Sequence, residues 1–183
     1  MKCRTRGALG VEPVGADQRV DALGPAFCHP LVMLTFNTVS PDDVPLPLLL
    51  VADPSEERIR DYLAGELCLV AEEAGEVVGA CVLNRLDDAT LELFNIAVDP
   101  ADQGQGIGAG LLRRALDEAR ARGYRRVELG TGTFGYQLAF YQRAGFRVEA
   151  VVKDHFLTHY DEPVIESGLQ HKDQLRLGLA LQP

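Results

Sequence analysis

Apolar residues along this chain fall into short strand-like runs that are separated by polar turns and by stretches with helical spacing. The strand-like runs cover residues 34–39, 67–71, 77–83, 90–98, 127–130, 146–152 and 174–181. From Ile107 to Ala119 apolar residues recur at helical spacing, and Gly123 predicts the end of that helix. A further helix is predicted over Tyr136–Ala144 and is closed by Gly145.

An additional helix is predicted before the first pair of strands. In Asp53-Pro54-Ser55-Glu56, an N-cap is followed by proline at the first helical position and by an acid three residues after the cap. This helix should run to about Ala64. Two other segments are less determined: residues 48–51 fit either a helical turn or a substrate-side loop, and residues 155–168 are predicted to form a mixed aromatic and acidic loop.

The predicted order of elements is strand, helix, β-hairpin, strand, helix, strand, helix, strand, strand. An α/β sandwich accounts for this order, with helices on both faces of a mixed, largely antiparallel sheet. The sheet should be parallel only where a β-α-β unit surrounds a glycine-rich turn near residue 104.

The first 33 residues show no strand or helix period and are rich in glycine, proline and charge. We expect residues 1–33 to be a disordered or loosely attached extension, and residues 34–183 to form one domain. The functional domain is expected to begin near Met33, and the start of the given sequence could then lie upstream of the native one.

Composition narrows the classes of function. The 183 residues are 46% hydrophobic, enough for one sizeable core, and the net charge of −9 argues against a general grip on nucleic acid. The negative charge suits a cationic acceptor such as an amine.

No apolar run approaches the roughly 18 residues that span a bilayer, so no membrane partner is expected. A monomer and a homodimer both remain open.

The four cysteines, Cys3, Cys28, Cys68 and Cys81, lack C-x-x-C pairs and metal-type spacing with the histidines. They predict reduced thiols in a cytoplasmic protein without a bound metal.

The segment that follows the strand over residues 90–98 carries the strongest chemical signal. After Asp99-Pro100, the chain reads Gln103-Gly104-Gln105-Gly106-Ile107-Gly108 and opens a helix. Glycines allow positive φ and close approach of a ligand, and a helix start leaves backbone N–H groups without partners. The pattern therefore predicts a site for a phosphate or pyrophosphate.

Other interpretations of this turn exist. It could serve only to pack the helix on the strand. It also fits the loose dinucleotide fingerprint, as Gly104-x-Gly106-x-x-Ala109 with Glu128 as the ribose-binding acid. The single β-α-β unit after a hairpin disfavours a dinucleotide fold, which places its fingerprint on the first strand.

Two motifs resemble those of the GNAT acetyltransferases (Gcn5-related N-acetyltransferases). The first is Gln103-x-x-Gly106-x-Gly108 after a strand that ends at Asp99-Pro100, and the second is Ala139–Phe146, which contains Tyr141. The resemblance covers about residues 34–183 and extends to a bacterial subgroup. It departs at Phe134, where the family often has asparagine. The resemblance implies a GNAT-like fold and acetyl-CoA as co-substrate.

The resemblance also assigns residues to the acetyl-CoA site. The pyrophosphate would be held by the backbone of the turn, namely Gln103, Gly104, Gln105, Gly106, Ile107, Gly108 and Ala109. The pantetheine would pair with the end of the strand at Ile96 and Val98, as a neighbouring strand would. Backbone N–H groups near Ala97 and Val98 would stabilise the oxyanion.

The catalytic groups follow from the same resemblance and from the chemistry of amine attack on a thioester. Tyr141 is the candidate acid for the departing CoA thiolate, and a tyrosine that only packs in the core is the alternative. Glu92 is the candidate base, unless strand alternation turns it outward. Glu128 is a poorer candidate.

His155, His159 and Tyr160 precede the final strand and are candidates for binding the acceptor, although they could equally be solvated. A lone H-x-x-x-H without further ligands implies no metal.

These observations predict an N-acetyltransferase that moves an acetyl group from acetyl-CoA to a primary amine by direct attack in a ternary complex. The acceptor would be a small molecule or a peptide. Two alternatives come from other classes: a catalytically silent acyl-CoA binding module, and an NAD-type dinucleotide-binding enzyme.

Overall fold

The computed structural model describes residues 33–182, so the expected N-terminal extension lies almost entirely outside the described residues. The strands are β1 (Thr35–Val39), β2 (Leu67–Glu73), β3 (Glu76–Arg85), β4 (Thr90–Val98), β5 (Arg126–Gly132), β6 (Arg147–Val152), β7 (Ile165–Glu166), β8 (Leu169–Gln170) and β9 (Gln174–Ala180). The helices are α1 (Leu46–Leu49), α2 (Glu56–Leu63), α3 (Ile107–Ala121), α4 (Tyr136–Arg143) and α5 (His155–His159).

The main sheet has seven strands in the order β1-β2-β3-β4-β5-β9-β6. Among its pairs, β4 with β5 is parallel and the others are antiparallel. This arrangement confirms the mixed, largely antiparallel sheet and the single parallel unit around the glycine-rich turn. It places β4 in the middle of the sheet, in keeping with its long apolar run.

Helices cover both faces of the sheet, as the pattern predicts. On one face, α3 contributes residues such as Leu111 and Ala115 to the larger core cluster, which also contains Tyr141 of α4. On the other face, Leu49 of α1 and Ile59 of α2 belong to a second cluster. Apolar residues on both sides of β2 and β3 are buried, which explains why their sequences run nearly unbroken in apolar character.

The start of α2 differs from the expectation. Ser55, not Asp53, is the N-cap, and its hydroxyl accepts a hydrogen bond of 3.3 Å from the backbone N–H of Arg58. Asp53 stands two residues earlier, where its carboxylate accepts a hydrogen bond of 3.0 Å from the N–H of Ser55. Both residue types can cap a helix, so the sequence pattern could not separate them.

Other boundaries also differ. Residues 48–51 lie in and just after the short helix α1, and the segment over residues 155–168 contains α5 and the strand β7. Strand β5 extends to Gly132 because β9 pairs with it along its whole length, from Arg126 with Ala180 to Gly132 with Gln174. In each case the tertiary partner, which the sequence does not show, sets the boundary.

None of the helices within residues 33–182 combines the length and the apolar character needed to cross a membrane.

Candidate active site

The central strands β4 and β5 separate halfway along their length. Residues Thr90–Leu93 of β4 pair with Arg126–Leu129 of β5. The next residue of β4, Phe94, has no partner on β3, so the register between β3 and β4 shifts there. Such a bulge bends a strand and changes its direction. In the part of the chain that the structure describes, no strand pairs with the β5-facing edge of β4 beyond Leu93. A cavity of about 1400 Å³ opens at this gap.

The glycine-rich turn lies at one end of the cavity. Gly104 and Gly106 have φ values of +78° and +85°, a conformation that favours glycine. Gly106 is the N-cap of α3 and supplies no side chain, and its carbonyl accepts the first helical bond, 3.0 Å from the N–H of Gly110. The N–H groups of the first turn are therefore available to an anion, and no acidic side chain stands there to repel one.

The residues assigned to the acetyl-CoA site by resemblance meet at this cavity with one exception. Gln105 is exposed and does not line the cavity, and its amide lies 3.5 Å from Asp102. The side chain of Gln103 fixes the turn to the end of β4 by donating a hydrogen bond of 3.1 Å to the carbonyl of Val98. The other assigned residues line the cavity: Ile96, Ala97, Val98, Gln103, Gly104, Gly106, Ile107, Gly108 and Ala109.

Tyr141 lies between the core and the cavity. Only 8% of its surface is exposed, and its ring meets those of Phe140 and Phe146 edge to face at 5.1 and 6.0 Å. Burial raises the pKa of its phenol well above the ordinary value of 10.0, so the hydroxyl is protonated at neutral pH. A protonated hydroxyl that lines the cavity is what a proton donor requires.

Glu92 lines the cavity and is bound by arginine. Its side chain is 16% exposed, and the guanidinium of Arg176 donates to its Oε1. Arg176 also lies 3.4 Å from Glu128, whose carboxylate has a lowered pKa because Arg126 and Arg176 donate to it. The strand alternation that left the direction of Glu92 open is thus resolved toward the cavity.

The three acceptor-side candidates do not all reach the cavity. His155 and Tyr160 line it, whereas His159 does not. His159 is exposed, and its ring stacks on that of His155 at 4.4 Å while its Nδ1 lies 2.9 Å from the carbonyl of His155. The structure therefore places His155 and Tyr160 at the cavity, whereas His159 lies outside it on the exposed side of His155.

The imidazole of His155 is held in its neutral form. Burial lowers its pKa from 6.5 to about 4, and the positive charges of Arg58 and Arg176 and the neighbouring His159 act in the same direction. Its Nε2 lies 3.0 Å from the side-chain amide nitrogen of Gln174, which donates to it.

This lowered pKa gives an expected pH dependence. Between pH of about 4 and 6.5 the unfolded chain binds more protons at this imidazole than the folded protein. Its contribution to stability is therefore fully present above pH 6.5 and is lost as the pH falls toward 4. We expect the melting temperature of His155→Asn to fall less than that of the wild type between pH 7 and 5. An equal fall in wild type and His155→Asn would contradict the assignment.

Sequence reasoning missed several residues that line the cavity. Asn95 is 3% exposed, and its amide donates to the carbonyl of Leu49 and to the hydroxyl of Tyr62. Phe94 stacks on Tyr62 with ring centroids 5.3 Å apart, and Arg58 of α2 also lines the cavity. For Asn95, the sequence does contain a signal, namely a polar residue inside an apolar strand. For Arg58, the sequence of helix α2 does not indicate which of its side chains line the cavity.

His171 is a further missed residue, and it explains the unusual Phe134. The two rings lie nearly parallel with centroids 4.1 Å apart, and His171 is 5% exposed. Its Nε2 donates to Glu166 at 3.0 Å, and a Cβ at Gly132 would stand 2.4 Å from its ring. Phe134 thus belongs to an aromatic stack with His171.

Comparison with known proteins agrees with this architecture. A model of the acetyltransferase (GNAT) family matches residues 40–146. The uncharacterized N-acetyltransferase YvbK of Bacillus subtilis (strain 168) is 41% identical over 135 residues, which are 73% of this chain and 87% of that protein.

Solved structures of acetyltransferases are also similar to this chain in fold and in sequence. The IAA acetyltransferase from Bacillus cereus ATCC 14579 superposes with a TM-score of 0.78 at 40% identity, covering 81% of this chain and 100% of that one. A GNAT family acetyltransferase from Elizabethkingia anophelis with acetyl-CoA bound has a TM-score of 0.77 at 36% identity, covering 81% of this chain and 98% of that one. The chain belongs to the GNAT acetyltransferase family.

Proposed function

We propose that this N-acetyltransferase moves an acetyl group from acetyl-CoA directly to the nitrogen of a primary amine while both substrates are bound. The observation that carries the proposal is the gap between β4 and β5, with a helix start rich in free N–H groups at one end. The relative from Elizabethkingia anophelis, which has acetyl-CoA bound, supports the identity of the donor.

The donor half of the cavity fits a pyrophosphate and a pantetheine arm. The pyrophosphate would accept hydrogen bonds from backbone N–H groups of the turn, between Gln103 and Ala109. The pantetheine would lie along the free edge of β4 and pair with Ile96 and Val98 as an added strand does. This placement would direct the thioester to the point where β4 leaves β5.

The reaction then needs a site for the oxyanion, a proton donor and a proton acceptor. The amine nitrogen forms a bond to the thioester carbon, the carbonyl oxygen becomes an oxyanion, and backbone N–H groups near Ala97 and Val98 stabilise its charge. The carbon–sulfur bond breaks, and the Tyr141 hydroxyl gives its proton to the thiolate. Glu92 takes a proton from the attacking nitrogen, directly or through water, while Arg176 fixes the position of its carboxylate.

The acceptor would occupy the other half of the cavity. His155 and Tyr160 line that half, and we propose that they contact the acceptor, with His159 supporting the ring of His155 from behind. The acceptor is a small molecule or a peptide that presents a primary amine.

The compartment is also part of the proposal. Cys68 and Cys81 are buried free thiols, as expected in a reducing environment such as the cytoplasm.

Release of CoA tests the function. The full chain is incubated with acetyl-CoA and a panel of primary amines, and free thiol is measured against time. We expect release that depends on the amine and saturates with both substrates. Binding of acetyl-CoA without release for any amine would contradict catalysis and would favour the silent acyl-CoA binding module.

A further inference from the structure

Arg58 differs from the other arginine at the acceptor half of the cavity. Arg176 is bound by two carboxylates, those of Glu92 and Glu128. Among the ion pairs of residues 33–182, Arg58 has a contact with Asp53 alone, 3.6 Å from its Nε. This distance exceeds a hydrogen bond, and Nε is one of three buried side-chain polar atoms without a hydrogen-bond partner in that part of the chain.

The contact with Asp53 leaves the outer edge of the guanidinium available. Asp53 approaches from the Nε side and is itself oriented by the N–H of Ser55. The two terminal nitrogens of Arg58 form a planar fork that matches the two oxygens of a carboxylate. The Arg58 side chain is 32% exposed and lines the cavity, so a ligand can reach it.

The guanidinium is held in place by an aromatic stack that crosses the acceptor half. Its members follow one another in the order Phe134, His171, Phe156, Tyr160 and Arg58. The centroids of successive rings lie 4.1, 5.3 and 5.6 Å apart, and Cζ of Arg58 lies 4.8 Å from the centroid of the Tyr160 ring. A guanidinium held against a tyrosine ring loses little freedom on binding, which favours specific recognition of an anion.

We infer that Arg58 binds a carboxylate of the acceptor, so that the substrates are small amines that also carry a carboxylate group. The inference rests on the proposed acetyl transfer and names its acceptor class. The carboxylate lies on the fork of Arg58 beside Tyr160, and the amine extends along the floor of the cavity toward Glu92. Both charged ends of the acceptor then meet a side chain of opposite charge, in a protein whose net charge of −9 would otherwise repel an anion.

Matched pairs of substrates test this inference. Each L-amino acid is compared with its L-amino-acid amide, which keeps the side chain and the amine and removes the negative charge. The amide has the less basic amine and thus more of the reactive free form at neutral pH, so a preference for the acid cannot come from amine reactivity. We expect wild-type kcat/KM to favour the acids by about 10- to 100-fold, the range for a hydrogen-bonded charge pair.

Substitutions identify the residue responsible. Arg58→Gln should bring the ratio of kcat/KM for the acid to kcat/KM for the amide close to one. Arg58→Lys should keep part of the preference for the acid, because the positive charge remains although the planar fork is lost. Arg60→Gln is the matched control on the same helix, since Arg60 is 67% exposed and paired with Glu56. It should keep the wild-type ratio. The KM for acetyl-CoA should be unchanged in all three variants.

A binding measurement separates failure of the inference from failure of the function. The melting temperature of the CoA-saturated protein is measured with the same acids and amides. If no amine is acetylated but acids raise the melting temperature more than amides, and Arg58→Gln abolishes the difference, the inference stands and the proposed function fails. If wild type shows no preference for acids in either measurement, or Arg58→Gln keeps the preference, the inference is overturned.

Discussion

Replacing Tyr141 by phenylalanine is expected to lower turnover about 10²-fold or more, with little change in the affinity for CoA. The substitution removes one oxygen from a ring that stays packed between Phe140 and Phe146. The thiolate then leaves without a proton donor. Because the buried phenol is protonated at neutral pH, the loss should be seen across the neutral range.

The measurement is steady-state CoA release together with the dissociation constant of CoA. Tyr124→Phe is the matched control, because Tyr124 is only partly buried and does not line the cavity. It should keep wild-type turnover. Unchanged turnover in Tyr141→Phe would reject the role of acid and leave Tyr141 as a core tyrosine.

Replacing Gly106 by alanine is expected to weaken CoA binding by about 10-fold or more. At φ of +85° an L-residue costs about 1–2 kcal/mol, and the turn can relieve this strain only by moving the N–H groups of the α3 start. The loss should be seen in the dissociation constant of CoA, measured by calorimetry at fixed salt.

Gly123 provides a control at the opposite end of the same helix. It has φ of +88°, and, as at Gly106, nothing lies within 4 Å of an added Cβ. Gly123→Ala should therefore lower the melting temperature to a similar extent while leaving CoA affinity unchanged. Equal CoA affinity in Gly106→Ala and wild type would contradict a pyrophosphate site at this turn, and tight binding of NADH without binding of CoA would favour the dinucleotide-binding alternative.

The glycine-rich turn and its place at the cavity could be predicted from the sequence because they depend on local backbone. A strand that stops at Asp99-Pro100, glycines at Gly104 and Gly106 and a helix start at Ile107 are contiguous, and their geometry follows from residue type. The order of elements likewise predicted the mixed sheet and helices on both of its faces. The exception, Gln105, is a side chain that turns to Asp102.

The part of the cavity proposed to bind the acceptor could not be predicted because it is assembled from distant segments. Arg58 comes from α2, Phe94 from the bulge in β4, and His171 from the segment before β9. Their proximity depends on a register slip and on an aromatic stack, neither of which leaves a periodic pattern in the sequence. The ion pair of Asp53 with Arg58, at 3.6 Å, is likewise not visible in the sequence pattern, which predicts only a helix cap at Asp53.

A crystal structure of the full chain with CoA tests the central claim most directly, namely that the gap between β4 and β5 is the site of acetyl transfer. We expect the pyrophosphate on the N–H groups between Gly104 and Ala109, the pantetheine paired with Ile96 and Val98, and the sulfur within hydrogen-bonding distance of the Tyr141 hydroxyl. CoA bound elsewhere, or a sulfur remote from Tyr141 with β4 and β5 closed against each other, would contradict it.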